Sequence, residues 1–275
     1  MMRVLPVAGP QRIVPRRQTS STELHWISRQ DDSTHQKSGH RGWAVVGRDL
    51  GDRDWAAIDP QPLRKSKGVR FRFTPSLHFW QPTGTHVWCE SQEERWEVLW
   101  LEFSGQVEKL WAQPVAITFG HGSRLSGYSH FPDLMALFTD GSYGLLDVRP
   151  ADLIDDAARV QFGETAAVCD ALGWRYRVLT GHDKRATGNL DSLSASRHDR
   201  CRPGHKTESL ILSAARGGRS RGDLCQIASP DCPPLACAWV DNLAWRRLLH
   251  VDLGGVFSSE TVYATTEAAS AGAAA

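Results

Sequence analysis

The sequence predicts a mixed α/β protein, and three features between residues 85 and 180 support this fold class. A helical pattern of apolar residues is followed by a short β-branched stretch and then by a strand pair joined by a turn. A long helical segment comes next and leads to a strand of alternating apolar and charged residues. A strand, a crossover helix and a strand in this order indicate a mixed sheet. The predicted element order is helix, three strands, helix, strand.

The first helix is predicted over ESQEERWEVLWLEF, residues 90–103. Its large apolar residues follow i, i+3, i+4, i+7 spacing, which places them on one stripe of a helix: Trp96, Leu99, Trp100 and Phe103. Glutamates at i, i+4 and i+7 form a neighbouring stripe: Glu90, Glu94 and Glu97.

The strands and the second helix follow. QPVAITF (113–119) is short and β-branched, which favours a strand. The segment 151–173 predicts a long helix, because aspartates lie in its first turns, where the helix dipole favours them, and Gly173 suits the left-handed position after its last turn. WRYRVL (174–179) alternates apolar residues with arginine and predicts the last strand.

The composition limits the class of protein. The chain has 275 residues, is 41% hydrophobic and 23% charged, and carries a formal net charge of +1. Such a chain can bury a core, but it has no global basic field that would indicate a nucleic-acid partner. No apolar run reaches the roughly 18 residues of a membrane span, and the first residues lack a signal-peptide pattern. We therefore expect a cytoplasmic protein without a membrane partner, whose scattered cysteines are reduced and lack zinc-site spacing.

The composition shifts along the chain predict its domain boundaries. Polar residues without periodicity predict a flexible N-terminal arm at 1–60, and the α/β domain follows at 61–182. A segment rich in Asp, Ser, Arg, Gly and His predicts a linker at 183–206. Three helical segments and two short strands predict a winged-helix-like domain at 207–265. A tail of small residues at 266–275 is expected to be disordered.

The stretch HFPDLMALFTDGSYGLLDVRP (130–150) predicts a β-hairpin with charged residues in its strands. Asp-Gly is a strong turn signal. A loop of Asp-Gly alone would send Asp133 and Asp147 to opposite faces of the sheet. A loop of Thr-Asp-Gly (139–141), with its glycine in the left-handed conformation, would place the two aspartates directly opposite each other.

Two carboxylates opposite each other repel, and a divalent cation between them would reverse the sign of their interaction. Oxygen ligands of this kind suit Mg²⁺ or Mn²⁺, and such a metal polarises a phosphoryl oxygen and lowers the pKa of a bound water. Glu90 or Glu94 offers a third carboxylate, and the Gln113 amide offers a group that orients water or a ligand. Arg149 shares the face of the aspartates and would steady the charge on a phosphate. The alternative is that one aspartate ends its strand in solvent while the other forms an ordinary surface pair with Arg149.

The hairpin also resembles a known nuclease pattern. FPD (131–133) is followed fourteen residues later by DVR (147–149), after a helix beginning ES, as in the PD-(D/E)xK nucleases. Asp133 matches the first acidic position, Asp147 the second and Arg149 the lysine position. Residues 75–182, including WCESQEERWEVLWLEFSGQVEKLWAQPVAI and GWRYRVLTG, resemble the TnsA-like endonuclease subunit of heteromeric bacterial transposases. The C-terminal segment, which includes PPLACAWVDNLAWRRLLHVDLGG, resembles the helical, winged part of these subunits.

The resemblance implies a fold, a reaction and partners. It implies a PD-(D/E)xK restriction-endonuclease-like core and a Mg²⁺-dependent endonuclease that cuts the 5′ strand at transposon ends in double-stranded DNA. It implies a DDE-type transposase and an AAA+ ATPase as partner proteins. The helix glutamate of the family would fall on Glu90, with Glu94 as the near alternative.

The sequence departs from the family pattern at Arg149, which stands at the lysine position. Arginine does not lose its proton in proteins, so it could bind a phosphate but is a poor general base. Activation of water would then depend on the metal. The alternative function is a catalytically lapsed scaffold that binds DNA and the transposase without cutting. A free-standing restriction or repair nuclease is a third candidate function.

Overall fold

The computed structural model describes four stretches of the chain: 14–15, 19–29, 40–63 and 75–267. Within them the chain divides into two units, the first ending at Gly181 and the second beginning at His182. Both units contain helices and strands, which confirms the mixed α/β class predicted from the sequence. Among the helices of the described stretches, none is long and apolar enough to cross a membrane.

The first unit holds most of the strands. Its elements in chain order are β1 (Val14–Pro15), β2 (Glu23–Ser28), β3 (His40–Val45), α1 (Arg48–Gly51), α2 (Trp55–Ile58), β4 (Ser76–Trp80), β5 (Thr85–Cys89), α3 (Gln92–Ser104), β6 (Val107–Ala112), β7 (Val115–Thr118), β8 (Tyr128–His130), β9 (Leu134–Phe138), β10 (Tyr143–Val148), α4 (Asp156–Leu172) and β11 (Arg175–Leu179). A 3-10 turn at Ala151–Leu153 precedes α4, so the long helix starts later than the sequence predicts.

A four-stranded sheet in the order β11-β10-β9-β6 forms the centre of this unit. β10 and β11 are parallel and are connected through α4, whereas β9 is antiparallel to both β10 and β6. The sequence analysis missed β6 at the edge of the sheet. Its register shifts between Val107 and Lys109, and this irregularity interrupts the apolar alternation by which a strand is recognised.

The β9–β10 hairpin adopts the three-residue turn. Ser142 O accepts a hydrogen bond from the Phe138 N–H at 2.9 Å, and Gly141 lies in the left-handed region at φ 81°. Leu134 therefore pairs with Leu146, which sets Asp133 opposite Asp147 at the next position. Of the two registers that the sequence allows, the structure has the one that brings the aspartates together.

Two chain segments run from the central sheet into a second, five-stranded sheet in the order β1-β8-β7-β2-β3. One segment passes from β6 to β7 through residues 113–114, and the other passes from β8 to β9 through residues 131–133. The predicted strand at 113–119 is thus β7, and it belongs to this second sheet. The two crossings lie side by side, because the Gln113 N–H donates to Asp133 O at 2.8 Å.

Apolar residues cover both faces of the central sheet. Leu145 belongs to a cluster with Val168 and Cys169 of α4, whereas the next residue, Leu146, belongs to a cluster with Val98 of α3. Side chains alternate along a strand, so Asp147 shares the face of Leu145 and points toward α4. Three tryptophans reinforce that side by edge-to-face packing, with ring centroids 5.2 and 5.3 Å apart: Trp26, Trp55 and Trp174.

Helix α3 buries a different face from the one that its sequence predicts. Of the predicted apolar stripe only Leu99 is fully buried, while three glutamates and Val98 lie inside: Glu94, Glu97 and Glu102. Each glutamate meets a specific donor. Glu102 lies 2.5 Å from the buried His78 Nε2, and Glu97 accepts from the Gly181 N–H at 2.9 Å. Tertiary hydrogen bonds therefore override the simple apolar periodicity of this helix.

The second unit consists of helices and a small sheet. Its elements are α5 (Lys184–Ser194), α6 (His205–Ala214), β12 (Arg219–Ser220), α7 (Arg221–Ala228), α8 (Pro233–Trp245), β13 (Leu249–Val251) and β14 (Val262–Thr265). The strands form a sheet in the order β12-β14-β13. The two predicted strands correspond to β13 and β14, and the predicted helices correspond to α6, α7 and α8.

The predicted linker at 183–206 is instead part of the second unit, because it contains α5. Asp183 caps this helix by accepting from the Ala186 N–H, and Leu190 and Leu193 are buried. Asn189 Nδ2 donates to the carbonyls of Leu253 and Gly255 in the β13–β14 loop at 2.7 and 2.9 Å. The polar composition of the segment hid a helix with a narrow apolar stripe.

The flexible arm predicted at 1–60 also contains ordered structure. β2 and β3 lie in the five-stranded sheet, and Leu24 and Trp26 of β2 are buried in the core. Residues 1–13, 16–18 and 30–39 of that segment lie outside the described residues, as do positions 268–275 of the predicted disordered tail.

Candidate functional site

Asp133 lies where the chain crosses from the five-stranded sheet to the central sheet. Only 2% of its surface is exposed. Its Oδ2 accepts a hydrogen bond from the Val148 N–H at 2.8 Å, so its carboxylate reaches across to strand β10. A backbone donor of this kind stabilises the ionised form of a buried carboxylate. The structure thus places a carboxylate inside the protein, at the end of two strands.

Asp147, on β10, is also buried, with 3% of its surface exposed. Its Oδ2 accepts a hydrogen bond from the Tyr176 hydroxyl at 2.6 Å and lies 3.0 Å from His130 Nε2. Gln161 Nε2, on α4, lies 2.9 Å from Nδ1 of the same imidazole. With the Gln161 amide donating to Nδ1, the imidazole proton is on Nε2 and points at Asp147. Two side chains therefore hold this carboxylate directly, and Gln161 holds one of them, the imidazole, in place.

The charge of Asp147 extends to its neighbours. Burial raises the pKa of Tyr176 far above its usual range, and the Asp147 carboxylate adds to the increase. Burial likewise raises the pKa of the Cys169 thiol to about 12, and the same carboxylate contributes. Both groups stay neutral beside the anion.

Gln113 lies beside Asp133 at the other crossing, between β6 and β7, rather than inside a strand as the sequence predicts. Its backbone is left-handed at φ 46°, which is unusual for a residue other than glycine. The side chain is 3% exposed, and its Nε2 meets no hydrogen-bond acceptor within the described part of the chain. An unsatisfied buried amide costs about 1–3 kcal/mol. Strain and an unsatisfied donor together are typical of a functional position.

The two candidate glutamates differ in their placement. Glu90 precedes α3 and is half-buried, whereas Glu94 lies in its first turn and is buried. Glu94 Oε2 accepts from the Glu90 N–H at 2.8 Å, and Ser91 Oγ accepts from the Glu94 N–H at 3.1 Å. These contacts form a capping arrangement at the start of the helix. Glu94 thus has a structural role whether or not it also binds a ligand.

Arg149 follows β10 and is half-buried. Its N–H donates to Leu179 O, which continues the parallel pairing of β10 and β11 by one residue. Its Nε donates to the Leu153 carbonyl at 2.9 Å, in the turn before α4. The structure therefore holds the guanidinium over this turn.

Three residues that hold Asp147, directly or through a neighbour, were not predicted from the sequence: His130, Gln161 and Tyr176. Each carried a weak signal. His130 lies three residues before Asp133, and Gln161 interrupts the buried stripe of α4 as a polar residue one turn from the buried Thr165. Tyr176 occupies an inward position of the predicted alternation in β11. These three residues share one signal: each is polar at a position where the sequence pattern predicts a buried side chain.

The site offers two carboxylates as ligands for Mg²⁺. The described residues contain no group of three or more His, Cys, Asp or Glu side chains arranged to hold a metal. Mg²⁺ usually retains several waters and binds through one or two carboxylates, so two facing aspartates suffice as its protein ligands. Asp133 and Asp147 would hold the ion, and the Gln113 amide N–H would donate to a water or a ligand of the ion.

Comparisons with known proteins leave the family open. Neither a scan against protein-family models nor a search of curated proteins returns a match to this chain.

Proposed function

We propose that this chain is a metal-dependent DNA endonuclease, the subunit of a heteromeric transposase that hydrolyses the 5′ strand at transposon ends. The observation that carries the proposal is the buried pair Asp133 and Asp147, set opposite each other by the hairpin register. Two buried carboxylates at adjacent positions repel, and a bound divalent cation removes that cost.

The order of elements supports a PD-(D/E)xK-type core. The central sheet and its helices follow the order α3, β6, β9, β10, α4, β11, which is helix, three strands, helix, strand. The carboxylates lie on β10 and just before β9, and the resemblance to TnsA-like subunits assigns the two acidic positions to the same residues. After α5, the elements of the second unit follow the order α6, β12, α7, α8, β13, β14. This is the order of a winged helix, a fold that commonly binds DNA.

In the proposed mechanism each side chain has one task. Asp133 and Asp147 would hold Mg²⁺, which would supply polarisation of a phosphoryl oxygen and a lowered pKa of a bound water. His130 and Tyr176 hold the Asp147 carboxylate in place by hydrogen bonds. The buried Gln113 amide offers a donor to a phosphate oxygen or a water. Arg149 keeps its proton, so it stabilises phosphate charge and leaves the removal of the water proton to other groups.

The partners belong to the same proposal. The substrate is double-stranded DNA at the transposon ends, and the 3′ strand is left to a DDE-type transposase. An AAA+ ATPase would regulate the assembly. These partners rest on the sequence resemblance, which covers residues 75–182 best.

The first test is 5′-strand cleavage of a transposon-end duplex by this protein with its transposase and ATPase in Mg²⁺. Asp133→Asn keeps an oxygen that accepts from the Val148 N–H but removes the charge, so we expect at least a 100-fold loss of cleavage, on the order of what loss of metal-site groups costs. Asp140→Asn is the matched control, because this aspartate lies in the exposed turn of the same hairpin. We expect the control to cut like the wild type.

A second readout needs no partner protein. Mg²⁺ or Mn²⁺ should raise the unfolding temperature of the wild type and of Asp140→Asn, but not that of Asp133→Asn, because a ligand stabilises only the state that binds it. Wild-type cleavage by Asp133→Asn in the complete assembly would refute the assignment of the metal site.

The scaffold alternative draws on one observation, the hydrogen bond that holds Arg149 Nε at the Leu153 carbonyl. If neither wild type nor Arg149→Lys cuts the 5′ strand while the transposase cuts the 3′ strand, the chain acts as a scaffold. A gain of cleavage in Arg149→Lys would instead show that a working site lacks only its lysine.

A further inference from the structure

Helices α7 and α8 of the second unit bring two thiols into contact. The Sγ atoms of Cys225 and Cys237 are 3.5 Å apart. Cys225 is 3% exposed, whereas Cys237 is half-buried and has a path to solvent. All six cysteines are free thiols. Two thiols at this distance need to approach by only about 1.5 Å to reach the S–S bond length of a disulfide.

A neighbouring ion pair fixes the position of these thiols. Arg221 lies one helical turn before Cys225 on α7, and Asp241 lies one turn after Cys237 on α8. The guanidinium binds the carboxylate in a two-point contact, Nε to Oδ1 at 2.9 Å and a second nitrogen to Oδ2 at 2.6 Å. The Tyr263 hydroxyl of β14 donates to the same carboxylate at 3.0 Å. The ion pair and the thiol pair therefore occupy successive turns of one helix–helix contact.

We propose that Cys225 and Cys237 are an oxidation site that closes a disulfide between α7 and α8 on reaction with a low-molecular-weight disulfide such as oxidised glutathione. The Cys237 thiolate attacks one sulfur of the reagent, forms a mixed disulfide and releases one thiolate. Cys225 then attacks the Cys237 sulfur and releases the second. In total two protein thiols are oxidised, one reagent disulfide is reduced to two thiols, and the protons pass to the released thiolates and solvent.

The exposures set the order of the two steps. Cys237 meets a reagent first because Cys225 is enclosed. Burial also raises the pKa of the Cys225 thiol to about 12, and its contact with Cys237 adds to the increase. A thiol of this kind is a poor first nucleophile but can resolve a mixed disulfide that forms beside it. The pair thus reacts with small reagents that reach Cys237.

The disulfide would change the second unit mechanically. It would close the chain between two residues 12 positions apart and fasten the turn between α7 and α8. A cross-link of this kind stabilises a fold mainly by restricting the unfolded chain. We therefore expect the oxidised protein to unfold at a temperature several degrees higher than the reduced protein, since each kcal/mol shifts the midpoint of a small domain by about 4–8 °C.

The test treats the full chain with oxidised glutathione, blocks the remaining thiols in denaturant and digests before aspartate without reduction. Cleavage before Asp223, Asp231 and Asp241 separates 223–230, which contains Cys225, from 231–240. The expected product is a cross-linked pair of these two peptides and a loss of two free thiols.

Variants identify the partner cysteine, because 231–240 also contains Cys232. Cys232→Ser is the matched control, since this exposed cysteine lies in the same peptide, and its variant should still form the cross-link and show the higher unfolding temperature. Cys237→Ser and Cys237→Ala should lose both, and circular dichroism of the reduced variants checks that they fold.

Three results would overturn the proposal. A glutathione adduct on Cys237 without a cross-link would show that Cys225 does not resolve it. A cross-link lost in Cys232→Ser would assign the pairing to Cys232. Modification of Cys232 while both Cys225 and Cys237 remain thiols would show that the pair is inert.

Discussion

Each unit of this protein buries an aspartate that accepts a hydrogen bond from a tyrosine, yet the two aspartates have different surroundings. Asp241 in the second unit also binds Arg221 through two hydrogen bonds, so a permanent positive charge neutralises it. Asp147 in the first unit has an imidazole and a phenol as neighbours and faces the carboxylate of Asp133. The first arrangement pairs opposite charges, whereas the second sets two carboxylates opposite each other, which is the arrangement that the proposed cation site uses.

A structural carboxylate and a candidate functional carboxylate differ here in the groups that lie next to them. Burial and hydrogen bonding are common to both, so neither identifies a site. Their observed neighbours separate them: a guanidinium binds Asp241 at two points, whereas Asp147 bonds to an imidazole and a phenol and has a second carboxylate opposite it in the hairpin register. Hydrogen bonding to Asp241 raises the pKa of Arg221 above its ordinary value, against the opposing effect of burial, which shows how closely the two charges are coupled.

The largest expected difference between the two aspartates is in the unfolding free energy of their asparagine variants. Asp241→Asn leaves the half-buried Arg221 guanidinium without its counter-charge, and we expect the second unit to lose about 3 kcal/mol of unfolding free energy. Asp147→Asn relieves repulsion with Asp133 but weakens the hydrogen bonds from Tyr176 and His130, and because these effects offset we expect the first unit to change by less than about 1 kcal/mol. Hydrogen exchange of the amides of each unit, read residue by residue, measures both. Equal losses in the two variants would contradict the distinction.

Removing the tyrosine hydroxyl beside each aspartate should give a smaller difference, and here the larger loss should fall in the first unit. Tyr176→Phe removes a 2.6 Å hydrogen bond from Asp147, and we expect a cost of about 2 kcal/mol because hydrogen bonds to charged groups are the stronger ones. Tyr263→Phe should cost about 1 kcal/mol, since Arg221 still satisfies Asp241. Urea unfolding of each variant against the wild type measures the costs. A larger loss in Tyr263→Phe would reverse the interpretation.

The smallest effect concerns the thiols beside each aspartate. Burial is the largest cause that raises the pKa of Cys169 and of Cys225 from the ordinary 9.0 to about 12. A raised pKa contributes stability that is present below pH 9 and is lost as the pH rises from 9 to 12, because the unfolded thiol ionises first. At pH 10 each thiol accounts for about 1.4 kcal/mol.

Cys169→Ala isolates this effect in the first unit, where Cys89 has a similarly raised pKa of about 12 and remains as a constant background. The loss of stability between pH 8 and pH 10 should be smaller in Cys169→Ala than in the wild type by about 1.4 kcal/mol, and Asp147→Asn should retain most of that loss because burial dominates. Urea unfolding at both pH values measures it. A loss in Asp147→Asn as small as that in Cys169→Ala would mean that the neighbouring charge, rather than burial, controls this thiol.

Much of the fold could be predicted from the sequence where local patterns and tertiary packing agree. The long helix ends at Gly173 in the left-handed conformation, and the crossover from β10 to β11 is parallel, as the sequence predicts. The prediction was wrong where tertiary contacts reverse the local signal. The buried face of α3 carries three glutamates because donors elsewhere in the chain satisfy them, and the predicted linker contains α5 because β13–β14 loop carbonyls bind its Asn189.

The sequence by itself determined that a carboxylate stands at 133 and at 147 and that a Thr-Asp-Gly turn was one of two options between them. Only the tertiary structure decided which option holds, that Gln113 joins Asp133 where the chain crosses between sheets, and that His130, Gln161 and Tyr176 surround Asp147. The physical reason is distance along the chain. Turn chemistry is local but fits two strand registers, and the hydrogen bonds that enclose a buried charge come from residues that only the completed fold brings together.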